Sequence, residues 1–318
     1  MTRPRLVITR RIYDHVLQSL QGVLDIVADN QADDMPWTPE IMKRHVANAD
    51  YVLCSVADRI DADILAAAPG LRLVANGAVG TNNIDIAGCK ARGIRVTNTP
   101  DVLTETTADF GFALMMALAR RIPEAEREVR AGRWTGWAFD QFAGRDVHGA
   151  TLGIVGMGRI GSAIARRAAG FRMRVLYHNR NPLPDSDLAQ WSELGPLLRE
   201  SDVVMLVVPY SQATHHLIGA PELALMKTSA LLINIARGGV VDDQALVQAL
   251  RDRRIAGAGL DVFENEPRLH PDLLAFENVV LTPHIASSSR ATRGAMMQLA
   301  ADNILAHAAG LPLKTPVA

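Results

Sequence analysis

The stretch LGIVGMGRIG, Leu152 to Gly161, decides the fold. Leu152 to Val155 reads as a short buried strand, and SAIARRAAG from Ser162 onward continues as an amphipathic helix. Between them Gly156, Gly158 and Gly161 form G-x-G-x-x-G. Gly156 permits the tight turn, Gly158 lets the backbone approach a pyrophosphate, and Gly161 allows close helix–strand contact, while the helix N-terminus offers free N–H groups to anionic oxygens. Glycines at this spacing are common in ordinary turns. The strand before them and the helix after them are what point to a dinucleotide-binding unit.

The end of the following strand sets the cofactor. An NAD site has an acidic residue about 20 positions on, hydrogen-bonded to the ribose. Here Val175 to Tyr177 runs into His178-Asn179-Arg180, with no carboxylate. Nothing there repels a 2′-phosphate, and Arg180 can donate a charge-assisted hydrogen bond to one. NADP(H) is therefore the preferred cofactor, with NAD(H) usable. The ordinary alternative for Arg180 is a solvated surface arginine.

Short apolar runs alternate with helical patterns on both sides of the fingerprint. One series comprises Leu6 to Ile8, Val23 to Val27, Tyr51 to Leu53, Leu71 to Ala75 and Ile94 to Val96. The second comprises Leu152 to Val155, Val175 to Tyr177, Val203 to Val208, Leu231 to Ile235, Gly257 to Val262 and Val279 to Leu281. Such alternation predicts α/β architecture: two doubly wound, Rossmann-like parallel-sheet domains with a cleft between them. A chain of 318 residues suits two domains. Between the series lie a helical stretch, Glu105 to Arg120, and a polar arm, Ile122 to Gly149, holding Trp134 and Trp137. These tryptophans read either as local core staples or as contacts to a second subunit. A last helical segment, Ser288 to Ala309, precedes the tail Gly310 to Ala318.

Composition removes several functional classes. The chain is 48% hydrophobic and 21% charged with a formal net charge of −1, so it lacks the basic excess of a nucleic-acid binder. Cys54 and Cys89 are the two cysteines, and no paired-cysteine or histidine spacing suggests a disulfide framework or a metal site. No metal is expected. Phe110 to Ala119, the longest apolar run, is too short to span a bilayer, and MTRPRLVITRR lacks the apolar centre of a signal peptide. A cytoplasmic location is expected, without nucleic-acid or membrane partners.

Three segments after the fingerprint place polar residues just past strand ends, where open α/β sheets bind ligands. They are NIARGG with Arg237, LDVFENEP with Asp261 and Glu266, and LTPHIAS with His284. A cation, a proton donor and a carboxylate to hold that donor are what hydride transfer to a keto acid needs. His215, His216 and His178 have no partner that the sequence identifies.

The ordered set VGTNNID (Val79 to Asp85), NTPDVLTETTADF, GIVGMGRIG, NIARGGVVD, GLDVFENEP and LTPHIAS resembles the D-isomer-specific 2-hydroxyacid dehydrogenases over nearly the whole chain. The likeness is greatest to their glyoxylate, hydroxypyruvate and 2-ketogluconate reductases. It implies an oxidoreductase that reduces a small 2-keto acid to the D-2-hydroxy acid. Arg237 would bind the substrate carboxylate and polarise the keto oxygen, His284 would donate the proton, and Glu266 would pair with His284. An adjacent carboxylate favours the imidazolium. The resemblance also puts the main-chain N–H groups of Val79 and Gly80 on the substrate carboxylate, and Asp261 near the nicotinamide carboxamide. The remaining cofactor positions are expected at Thr104, Arg159, Ile160, Asn179, Val208, Pro209 and Ile235. It further implies a discontinuous substrate domain, residues 1–99 and 287–318, around a cofactor domain, residues 100–286, and a homodimer built through an arm at about 122–149. The departure from the NAD-type pattern is Asn179-Arg180. Two other readings stay open: a dinucleotide-sensing, corepressor-like binding protein, and a formate or phosphite dehydrogenase of the same fold.

Overall fold

A computed structural model of the chain describes residues 3–183 and 187–317. They separate into two compact units, one running to Leu103 and resuming at Ser288, the other Thr104–Ser287. The first junction falls past residue 99 because the main chain at Thr99 and the side chain of Asn98 stay bonded to Ala78 and Val79 of the first unit.

The first unit begins β1 (Arg5–Ile8), α1 (Asp14–Gln21), β2 (Asp25–Asp29), α2 (Pro39–Val46), β3 (Tyr51–Cys54), α3 (Ala62–Ala67), β4 (Leu73–Asn76), α4 (Ile86–Ala91) and β5 (Arg95–Thr97). Its five strands are parallel in the order β2-β1-β3-β4-β5. Every residue of β3 and β4 is buried. Burial on both faces is why these strands read as continuous apolar runs. Asp85, the last residue of VGTNNID, caps α4 by accepting a hydrogen bond from the Gly88 N–H at 2.9 Å.

The second unit comprises α5 (Thr104–Ala119), α6 (Ile122–Arg130), β6 (Thr151–Val155), α7 (Arg159–Gly170), β7 (Arg174–His178), β8 (Gln190–Trp191), α8 (Leu194–Glu200), β9 (Val203–Leu206), α9 (Ala220–Leu225), β10 (Leu231–Asn234), α10 (Asp243–Arg251), β11 (Gly257–Leu260) and β12 (Val279–Leu281). Its seven parallel strands lie in the order β12-β11-β10-β9-β6-β7-β8. The chain reverses direction across the sheet between β6 and β9, and ligands of such sheets bind beyond the carboxyl ends at that point. One face of the sheet buries apolar side chains of α5 and α7, and the other those of α8, α9 and α10. The two-residue strand β8 is too short to show periodicity in sequence.

Part of the polar arm is helical. Pro123 opens α6, Glu124 stands in its first turn, and Arg127 and Arg130 stand in its last, each matching the helix dipole. None of its residues is buried. Trp134 and Trp137 are not core staples: both are exposed, Trp137 at 79%, beside an exposed Phe139.

The final helix α11 (Arg290–Ala308) returns to the first unit and packs on α1, β3 and β4. Buried Asn303 there ties down the tail. Its Nδ2 donates to Thr315 Oγ1 at 2.9 Å, and its Oδ1 accepts from the Lys314 and Thr315 N–H groups. Among the described residues, no helix is long and apolar enough to cross a membrane.

Candidate active site

The fingerprint folds as a phosphate-binding turn. Gly156 has φ +107°, and a Cβ there would meet the Val207 carbonyl at 2.8 Å, so no other residue fits without strain. Gly161 sits directly against the Gly156 carbonyl, which fixes how closely α7 approaches the turn. Gly158 faces open space and leads into α7 without a side-chain cap. A helix N-terminus that opens on such a turn without a side-chain cap is the arrangement that suits a pyrophosphate. Arg159 and Ile160 form its first turn.

Asn179 holds this turn from the neighbouring strand. Its Oδ1 accepts from the Met157 N–H at 2.7 Å, and the His178 carbonyl accepts from the Gly156 N–H at 3.0 Å. Arg180 follows, exposed, with no hydrogen bond or ion pair among the described residues. Val208 and Pro209 continue past β9, Ile235 past β10, and Thr104 opens α5.

Three loops at carboxyl ends of the sheet carry the polar residues. Asn234, the last residue of β10, is buried and turns the chain: it accepts from the Ala236 N–H at 3.0 Å and donates to the Arg237 carbonyl at 3.0 Å. Beyond Arg237, Gly238 lies so close to the backbone of Phe263 and Glu264 that a Cβ would overlap it. The Arg237 loop and the Glu266 loop therefore pack main chain against main chain. Glu266 Oε1 accepts from the Phe263 N–H at 3.0 Å, and Oε2 bonds His284 Nδ1 at 2.9 Å.

His284 itself has φ +55°, a left-handed conformation that an L-residue adopts only when its surroundings hold it there. Asp261 supplies that hold. Fully buried, it accepts from Thr282 Oγ1 at 2.7 Å and from the Ile285 and Ala286 N–H groups at 2.8 Å, while its carbonyl accepts from the His284 N–H at 2.9 Å. Burial raises the Asp261 carboxyl above its usual range, against the pull of those bonds.

Charge couples the site. Burial alone would raise Glu266, but the bond to His284, the Phe263 N–H and the charge of Arg237 together hold its carboxyl below the usual range. Burial lowers the Arg237 guanidinium, and the charge of Glu266 works in the opposite direction. The result is a cation and an anionic carboxylate beside a half-buried imidazole whose Nδ1 is engaged, leaving Nε2 for chemistry. Val79 and Gly80 belong to the first unit, in the loop after β4.

His216, without a partner in the sequence reading, acquires several. Its N–H donates to the Gly239 carbonyl at 2.8 Å, its Nε2 bonds Glu264 Oε1 at 2.7 Å, and its ring stacks on His215. It thereby ties the Arg237 loop to the Glu266 loop. His215 Nδ1 bonds the Tyr210 hydroxyl at 3.2 Å, and His178 Nδ1 bonds the Ser192 carbonyl at 3.0 Å. Asp243 completes the knot by accepting from the Glu264 N–H at 3.2 Å. Nothing in the residue spacing marks the bonds of His216 and Asp243, because they join segments some 20 to 50 positions apart. Among the described residues, no group of three or more His, Cys, Asp or Glu could hold a metal ion.

Residues 112–286 match the family profile described as D-isomer specific 2-hydroxyacid dehydrogenase, NAD binding domain. A glyoxylate reductase of Korarchaeum cryptofilum is 48% identical over 314 residues, covering 97% of this chain and 94% of that one. The chain belongs to the D-isomer-specific 2-hydroxyacid dehydrogenases. A second relative, the glyoxylate reductase of Thermococcus onnurineus, is 46% identical over 311 residues, covering 96% of this chain and 92% of its own. Among solved structures, an NADPH-dependent glyoxylate/hydroxypyruvate reductase from Sinorhizobium meliloti, in complex with NADP and malonate, superposes with a TM-score of 0.88 at 37% identity, over 100% of this chain and 97% of that one. As a member of this family the chain is a nicotinamide-dinucleotide-dependent oxidoreductase.

The knot beneath the site carries a pH-dependent cost. Burial, reinforced by the charge of Glu264, pushes the Asp243 carboxyl from 3.8 up to about 6. Between those values the folded chain keeps a proton that the unfolded chain releases, so stability falls as pH rises through the window and the loss is complete above it. Asp243→Asn keeps an oxygen for the Glu264 N–H and removes the charge. The variant should be more stable than the parent by about 1–2 kcal/mol near pH 8 and equal to it near pH 4. Denaturant unfolding at both values checks this, and an identical difference at the two would refute it.

Proposed function

We propose that this family member reduces a small 2-keto acid, of the class of glyoxylate, hydroxypyruvate or 2-ketogluconate, to the D-2-hydroxy acid, with NADPH preferred. The observation that carries the reading is the 2.9 Å bond between His284 and Glu266 with Arg237 coupled to the same carboxylate. Glu266 fixes the ring through Nδ1 so that Nε2 can give a proton to the keto oxygen. Arg237 binds the substrate carboxylate and polarises that oxygen. The family resemblance assigns the main-chain N–H groups of Val79 and Gly80 to the substrate carboxylate. A bound dihydronicotinamide supplies the hydride to carbon 2. Asp261 serves the nicotinamide carboxamide through whatever acceptor capacity the His284 turn leaves it. A corepressor-like role would need none of the His284, Glu266 and Arg237 arrangement, and the relatives named glyoxylate reductase favour a keto acid over formate or phosphite.

Turnover of glyoxylate, hydroxypyruvate, 2-ketogluconate, formate and phosphite with either cofactor tests the class. Activity on only the last two would exclude it. His284→Ala and Arg237→Ala should each lower kcat/KM about 10²- to 10⁴-fold, with cofactor affinity retained. Near-parental turnover in either variant removes that residue from the mechanism.

NADPH preference rests on Arg180, exposed and unpartnered among the described residues, at a strand end without a carboxylate. Losing one charge-assisted hydrogen bond costs about 1.5–3 kcal/mol, so Arg180→Ala should raise KM for NADPH about tenfold or more and leave KM for NADH unchanged. Equal shifts for both cofactors would dissociate Arg180 from the 2′-phosphate.

A homodimer through the arm at 122–149 is the quaternary arrangement we favour. The supporting observation is the run of exposed apolar side chains there, Ile122, Val129, Trp134, Trp137 and Phe139. Sedimentation should give a dimer that Trp137→Glu with Phe139→Glu converts to monomers. A monomeric parent protein would end this proposal.

A further inference from the structure

The loop after β4 presents three consecutive peptide groups whose carbonyls are all tied down. The Ala78 carbonyl accepts from the Thr99 N–H at 3.0 Å, the Val79 carbonyl from Asn98 Nδ2 at 2.8 Å, and the Gly80 carbonyl from Asn76 Nδ2 at 2.8 Å. In a trans peptide the N–H points opposite its carbonyl, so anchoring each oxygen fixes the direction of the N–H of Val79, of Gly80 and of Thr81. Among the described residues those three N–H groups have no acceptor, and all three residues are half-buried. Successive backbone N–H groups held without an internal acceptor can form a concavity for an anion.

The anchors are themselves anchored. Asn76 is fully buried at the end of β4, with Asn83 Oδ1 at 3.4 Å from the same Nδ2. Asn83 in turn donates to the Ser55 and Asp58 carbonyls at 3.0 Å. Asn98 is fixed through its main chain, its carbonyl accepting from Thr315 Oγ1 at 2.6 Å and its N–H donating to the Thr315 carbonyl at 3.3 Å. Thr315 is held by Asn303 of α11. A continuous set of hydrogen bonds thus runs from the C-terminal tail to the Val79 peptide.

We infer that Asn98 and Asn76 are positioning residues that preorganise this cradle for the substrate carboxylate, and that the tail residue Thr315 acts on substrate affinity through Asn98. The inference rests on the assignment of Val79 and Gly80 to that carboxylate. Neither asparagine touches the substrate in this scheme. With the carbonyl anchors lost, the peptides can rotate and the N–H groups must be reoriented each time an anion binds. The cost falls on affinity for carboxylates.

Asn98→Leu keeps the branching at Cγ and removes the donor, and Thr315→Val alters a residue remote from the loop. The experiment measures kcat and KM for glyoxylate, and binds oxamate to the enzyme–NADPH complex by calorimetry, in the parent and both variants. Asn98→Leu should raise KM for glyoxylate and Kd for oxamate together by about tenfold or more, and Thr315→Val should shift both in the same direction by a smaller factor. NADPH affinity should change less than about twofold. A merely structural defect lowers the active fraction, and therefore kcat, while leaving KM and the oxamate Kd in place. That pattern, or unchanged constants in both variants, overturns the inference. Asn98→Gln, which restores an amide donor, should recover part of the oxamate affinity, and an equal loss in Gln and Leu variants also counts against it. A parent enzyme that reduces no keto acid defeats the functional reading instead, and a parent that binds no oxamate overturns the cradle itself.

Discussion

The bond between Glu266 and His284 is the constraint on which the site depends, and it is made by two loops neither of which would hold its shape alone. His284 occupies a left-handed backbone conformation that costs energy. Asp261 offsets that cost by accepting three hydrogen bonds from the turn around it. Glu266 is held from the other side by the Phe263 N–H. The imidazole is thus presented with one nitrogen committed and one free, at a place where the anionic form of its partner is favoured by Arg237.

Packing of main chain on main chain gives the same loops their common frame. Gly238 leaves no room for a side chain between the Arg237 loop and Phe263–Glu264, and His216 closes the gap with one bond to each. Rigid loops of this kind lose little entropy when a ligand binds, which lets binding energy be spent on orientation. The burial of Asp243 beneath them is the accompanying cost: a carboxyl pushed up to about 6 is a charge that the fold would be more stable without.

Much of this was legible in the residues. Strands that are buried on both faces announce themselves as apolar runs, and glycines flanked by a strand and a helix can be assigned roles from φ and close approach before any coordinates exist. The residues Arg237, Glu266 and His284 were legible as a set because each follows a strand. What stayed hidden were contacts at long separation. His216 carries no signal of Glu264, and Asn98 carries none of Val79 or Thr315. The two-residue strand β8 and the helix α6 were hidden for a different reason. The first is too short for a period, and the second is stabilised by Pro123 and end charges with no buried face for apolar spacing to reveal.

The two units solve the same problem in the same way. Each has a parallel strand ending in a buried asparagine, Asn76 at the end of β4 and Asn234 at the end of β10. In each the amide donates to a carbonyl three or four residues ahead, that of Gly80 in one and that of Arg237 in the other. A strand's carboxyl end leaves its next peptide groups without ladder partners, and burying them unpaired would cost about 1–3 kcal/mol each. An asparagine can accept and donate at once, so it can satisfy such a turn from within the chain. Aspartate at the same place could only accept, and leucine could do neither. The polar residue inside an otherwise apolar strand end is therefore what lets the chain turn there without burying unpaired peptide groups.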